Sequence, residues 1–110
     1  MSRASDSKDP VHRLVVYRPK AGSFAALEAI LKQHGPVLRR IGLITEEPVR
    51  IYRATDLRQP DAQPFLVEEF FWRDGAASDI AHQTPEVMAV WETMGPHLED
   101  MSLITLDAIG

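Results

Sequence analysis

The stretch from Phe65 to Pro96, FLVEEFFWRDGAASDIAHQTPEVMAVWETMGP, decides the fold. Its opening, Phe65 to Arg73, is rich in aromatic and β-branched residues and reads as a strand. Side chains alternate across a strand, so Leu66, Glu68, Phe70 and Trp72 share one face, and Phe65, Val67, Glu69 and Phe71 share the other. Asp74-Gly75 is a turn, and a short helix is expected over Ala76 to His82. Thr84-Pro85-Glu86 then combines an N-cap residue, a proline at the first helical position and an acid in the first turn, which together start a helix. Val87, Trp91 and Met94 form its inner stripe, and Gly95-Pro96 stops it.

The residues before this unit read as its mate. Val11 to Arg18 is a strand with Val11, Arg13, Val15 and Tyr17 on one face and His12, Leu14, Val16 and Arg18 on the other. Pro19 to Gly22 turns the chain, and Ser23 is a candidate N-cap. Phe24, Leu27, Leu31, His34, Leu38 and Ile41 follow at steps of three and four, the signature of an amphipathic helix. Pro36 lies inside that stripe and removes one backbone donor. The apolar phase continues across it, so the pattern predicts one kinked helix or two abutting short ones. A second strand is expected over Val49 to Thr55, a polar loop over Asp56 to Pro64, and a closing strand over Ser102 to Ile109.

The resulting order, β-α-β-β-α-β, predicts an α+β fold of ferredoxin-like topology, with a four-stranded antiparallel sheet and helices on one face. The strands carry apolar residues on both faces. The simplest cover for the second face is another copy of the chain, closing a dimeric α+β barrel about a two-fold axis. The sequence therefore predicts a homodimer with a central cavity. It also predicts a single domain over residues 11–110, preceded by a small, polar, disordered tail over residues 1–10.

Composition narrows the function. Twelve basic side chains against 16 acidic ones, a net charge of −4, give no nucleic-acid footprint. The chain has no cysteine, so disulfides, thiol nucleophiles and thiolate metal sites are excluded. No run approaches the roughly 18 apolar residues of a membrane span, and a cytoplasmic location is the default expectation. No phosphate-cradling glycine loop or nucleophile elbow is present. His82 and Glu86 have no third partner at a telling spacing, so no metal site is expected.

The segments VVYRPKAGSFAALEAIL and EEFFWRD followed by AHQTPEVMAVWETMG resemble the dimeric α+β barrel superfamily, in particular antibiotic-biosynthesis-monooxygenase-like (ABM) domains, over roughly residues 11 to 109. The resemblance implies a cofactor-independent oxygenase or related enzyme acting on a flat organic compound, or a non-catalytic ligand-sensing or structural homodimer on the same fold. Oxygenases of this family pair an asparagine with a tryptophan to steer oxygen, whereas this sequence contains no asparagine. The haem-degrading branch carries an iron-ligating histidine on the second helix, and the matching position here is Glu92. Haem degradation is therefore not implied.

His82 matches the histidine of the family's AH-x-x-P segment. It reads either as a general acid/base at the cavity or as a local hydrogen-bonding group shaping the turn into Pro85. Trp72 matches the tryptophan ending the third strand and reads either as a wall for a flat ligand or as packing. Glu68 and Glu69 are adjacent in an apolar strand, so each of two covered faces receives a carboxylate that needs a partner. Arg13, Arg50 and Tyr52 on neighbouring strands are the candidates. If Glu68 shares a face with Arg13, Tyr17, Arg50, Tyr52, Phe70 and Trp72, the barrel holds a polar-aromatic pocket for a small acidic or phenolic ligand. The competing reading is a structural Glu–Arg pair across strands.

Overall fold

The computed structural model describes residues 8–110. Most of the expected polar tail lies outside the described residues. The elements follow the predicted order: β1 (Val11–Pro19), α1 (Phe24–Ile41), β2 (Arg50–Ala54), β3 (Phe65–Trp72), α2 (Ala77–Ala81), α3 (Pro85–Met94) and β4 (Leu98–Thr105), with a 3-10 turn over Gly95–His97 between the last two. The sheet is four-stranded, ordered β2-β3-β1-β4, and every pairing is antiparallel.

The predicted stripe of α1 is the one buried. Leu27, Leu31, His34 and Leu38 are buried, and Phe24 and Ile41 flank them. The helix runs unbroken through Pro36. Gly35 is where it meets Val49, just before β2: a Cβ there would sit 3.0 Å from Val49 Cγ2, so the missing side chain admits the close approach. Gly42, at φ 86°, ends the helix in the left-handed conformation, with its N–H returning to the Leu38 and Arg39 carbonyls. Ser23 holds the N-cap position but makes no side-chain cap. Its hydroxyl instead pairs with His97 Nδ1 at 3.0 Å, tying the start of α1 to the turn before β4.

All helices cover one face of the sheet, which receives Val15 and Tyr17 from β1 and Leu66, Glu68, Phe70 and Trp72 from β3, all buried. On the other face lie His12, Leu14, Val16, Phe65, Val67 and Phe71, each half-buried. His12 stacks on Phe71 at 4.2 Å, and the Arg18 guanidinium lies 4.4 Å over the Phe65 ring. The alternation read from the sequence is thus correct, and one of its two faces is left without a helix among the described residues.

The closing strand differs from expectation. It begins at Leu98 rather than Ser102 and ends at Thr105 rather than Ile109. Pairing with β1 sets this register: Ser102 stands opposite Val16, and Leu98 opposite Pro19 beyond a bulge at Arg18/Pro19. β4 is an edge strand, and an edge tolerates the polar Glu99-Asp100 pair that reads as a loop in the sequence.

Candidate functional site

A cavity of about 200 Å³ lies within the single chain, between the helix-covered face of the sheet and α2 and α3. Its wall includes Arg13, Tyr17, His34, Phe70, Trp72, His82 and Trp91. Met101 and Leu103 of β4, both exposed, mark its open side. The expected pocket lay between two sheets; this cavity is on the opposite, helix-covered side of the sheet.

Five of the residues predicted to share a face do so: Arg13, Tyr17, Glu68, Phe70 and Trp72. Arg50 and Tyr52 do not. In the β2–β3 register Arg50 stands opposite Glu69 and Tyr52 opposite Val67, which puts both on the helix-free face. Among the described residues of the chain neither Glu68 nor Glu69 pairs with an arginine. Glu69 takes His12 as its partner, Oε2 to Nε2 at 2.8 Å. Glu68, completely buried, accepts the Tyr17 hydroxyl at 2.7 Å on Oε1 and meets His34 Nδ1 at 2.8 Å on Oε2.

The donor count fixes the protonation of this network. Indole N–H can only donate, and Trp91 Nε1 lies 2.9 Å from His34 Nε2. His34 Nε2 is therefore the acceptor, Nδ1 carries the proton, and that proton goes to Glu68. Both Glu68 oxygens are satisfied, one by the Tyr17 hydroxyl and one by His34 Nδ1. The chain Tyr17–Glu68–His34–Trp91 links β1, β3, α1 and α3, and sets the indole of Trp91 in the cavity wall.

Burial, reinforced by the Glu68 charge and its hydrogen bond, raises the Tyr17 phenol well above its ordinary range. A raised phenol favours the folded state fully below the unfolded value of 10.0 and loses that contribution as pH climbs toward the folded value. Stability measured by urea unfolding is expected to fall above pH 10 with a slope of up to about 1.4 kcal/mol per pH unit from this group. Tyr17→Phe should remove that component of the slope.

His82 caps the C-terminus of α2 and is exposed at the cavity margin. Its Nδ1 donates to the Ser78 carbonyl at 2.7 Å, which leaves Nε2 as the atom free for proton exchange. Its ring lies 4.7 Å from that of Trp91. The Asp74 carboxylate holds α2 in place by accepting the Ala76 N–H at 3.0 Å; Arg73, at 2.9 Å, keeps that carboxyl below its ordinary range. Arg40 of α1 pairs with Glu86 of α3 at the surface.

Among the described residues, two buried donors of the site have no partner. Arg13 Nε and Trp72 Nε1 are both buried without an acceptor. Trp72 itself is only 4% exposed, with its ring 5.0 Å from that of Phe70 in an edge-on contact. Nothing in the spacing of the sequence announces His34 as part of the site; only its place on the buried α1 stripe marks it.

By sequence, the chain matches no family model and no curated protein. By structure, it is similar to Rv0793 of Mycobacterium tuberculosis, with a TM-score of 0.71 and 18% identity over 93% of this chain and 97% of that one. It is similar to a crystal structure of an antibiotic biosynthesis monooxygenase, with a TM-score of 0.68 and 17% identity over 91% and 99%. The fold is that of ABM-like structures. A dimeric protein of unknown function and ferredoxin-like fold from Bacteroides fragilis also matches, with a TM-score of 0.68 and 9% identity over 90% and 96%. The ABM-like fold accounts for the sheet order and the helix placement; at these identities it assigns no residue a role. No helix among the described residues is long and apolar enough to cross a membrane.

Proposed function

We propose that the chain is an ABM-like enzyme that takes a flat organic compound into the cavity of each protomer and acts on it without a cofactor. The observation that carries this reading is an apolar cavity walled by Phe70, Trp72 and Trp91, with an imidazole at its margin whose Nε2 is free. Aromatic walls suit a flat ligand, and imidazole both takes and gives protons in the physiological range. In this reading His82 is the acid/base. Phe70 and the two tryptophans bind the ring system, and Arg13 anchors a polar substituent. Tyr17 and Glu68 act through Trp91 by fixing its orientation. Their polar atoms are already engaged with each other and with His34.

The protein works as a homodimer in this proposal, the helix-free face of each sheet meeting its copy. The half-buried apolar residues of that face support it, as does the dimeric description of the Bacteroides fragilis neighbour. Val67→Arg places a charge in the middle of this face. It should convert a dimer to a monomer by light scattering with the far-UV spectrum unchanged; a monomeric starting protein would remove the dimer from the proposal.

Turnover tests the enzyme reading directly. Aerobic incubation with a panel of hydroquinones and polycyclic phenols should show oxygen uptake without added metal or flavin. His82→Ala is expected to lower kcat roughly 100-fold or more, the range of general acid–base catalysis. Binding without turnover across the panel would favour the ligand-sensing alternative, and unchanged kcat in His82→Ala would remove the histidine from the mechanism.

A further inference from the structure

We infer that the cavity ligand is an organic monoanion, an aromatic body bearing one carboxylate that sits against the Arg13 guanidinium and the Trp72 indole N–H. This inference rests on the proposed binding role of the cavity and adds the charge of its occupant.

The buried side-chain atoms left without a partner at the cavity wall are both donors, whereas the free Nε2 of His82 stands at the exposed margin. Tyr17 donates to Glu68, His34 donates from Nδ1 and accepts at Nε2, and Trp91 donates to His34. His82 donates to the Ser78 carbonyl. Arg13 Nε and Trp72 Nε1 remain, both buried, both donor-only and both without a partner. A buried polar group without a partner is costly and rare enough in folded proteins to require an explanation.

The charges point the same way. Among the described residues no aspartate or glutamate lines the cavity. The nearby carboxylate, Glu68, has both oxygens occupied and is not in the wall. Among the described residues Arg13 enters no ion pair, and its burial weakens the guanidinium's hold on its proton. A cationic ligand would add to that unbalanced charge. A neutral carbonyl can accept a hydrogen bond but leaves the charge uncompensated. A carboxylate offers two oxygens and the opposite charge, so it can serve both donors and neutralise Arg13. Phe70, Met94 and Leu98 leave the remainder of the wall apolar, which suits an aromatic body and limits the ligand to one charged end.

The test is calorimetric titration of the intact protein at neutral pH with naphthalene-2-carboxylate and with its isosteric primary amide. The carboxylate is expected to bind roughly tenfold or more tightly, as a charge-assisted contact in a desolvated site should. Arg13→Met should abolish that preference by costing the carboxylate far more affinity than the amide, and Arg13→Lys should restore part of it. Trp72→Phe should weaken the carboxylate several-fold more than the amide. Equal binding of the two compounds to the unaltered protein overturns the monoanion and leaves the cavity as a binding site. Binding of neither, nor of the parent naphthalene, overturns the cavity reading and this inference with it. Preference for the carboxylate that survives in a folded Arg13→Met protein overturns the assignment to Arg13.

Discussion

Glu68→Ala is expected to lower the unfolding free energy by about 3–5 kcal/mol, read from urea denaturation at neutral pH. The side chain is completely buried, and its two oxygens are the acceptors for the Tyr17 hydroxyl and the His34 Nδ1–H. Removing it strands two donors in the core, at about 1–3 kcal/mol each, and opens a void the size of the lost carboxyethyl group. Glu68→Gln should be milder, at about 1–2 kcal/mol. Its amide oxygen can still accept from His34, but its NH2 then faces the Tyr17 oxygen, whose proton loses its acceptor. A loss below about 1 kcal/mol in the alanine variant would show that the network is not held as described. The same variant should also loosen Trp91, because His34 loses the group that fixes its tautomer. The expected signature is a fall in ligand affinity in protein that remains folded at low temperature.

Phe70→Ala should be comparable in size, about 3–5 kcal/mol, or a fall in Tm of more than about 15 °C for a domain of this length. Phe70 is 2% exposed and stands at the junction of three parts of the site: edge-on to Trp72 at 5.0 Å, edge-on to His34 at 6.1 Å, and in the cavity wall. Truncation there merges a packing defect with the existing cavity. The variant should therefore also accept bulkier ring systems than the unaltered protein does. Phe70→Leu separates the effects, since it keeps much of the volume and should cost about half as much while losing the aromatic contacts. A stable Phe70→Ala protein with unchanged ligand preference would remove Phe70 from both the core and the site.

How much of this was legible in the sequence depended on whether the signal was local. The periodicity of α1 is local, and Leu27, Leu31, His34 and Leu38 are buried as their spacing predicts. The Thr84-Pro85 start of α3 is equally local. The alternation in β3 correctly sent Glu68 and Glu69 to opposite faces. What it left open was which face holds the cavity, because an apolar face looks the same whether a helix or another sheet covers it. Arg50 and Tyr52 were misplaced for a related reason. Their face depends on the register across the loop of residues 55–64, and a slip of one position reverses every side chain. The pairing of His34 with Glu68 spans 34 residues and two elements, so no spacing rule could present it. Ser23 filled its predicted position but not its predicted role, since the neighbouring His97 comes from the far end of the chain.

The sheet order carries a consequence for solubility. With β2 and β4 outermost, the two free strand edges bear charges of opposite sign: Arg50 and Arg53 on β2, and Glu99 and Asp100 on β4. Unpaired strand edges are templates for runaway polymerisation unless something guards them. Two molecules that bring β2 to β2, or β4 to β4, set like charges against each other and gain little from the backbone bonds they would form. The remaining pairing, β2 of one molecule on β4 of the next, brings opposite charges together and is a head-to-tail contact that need not close. Fibrous aggregates nucleated at the sheet edges should therefore first arise in concentrated protein at low salt and recede as salt screens that attraction.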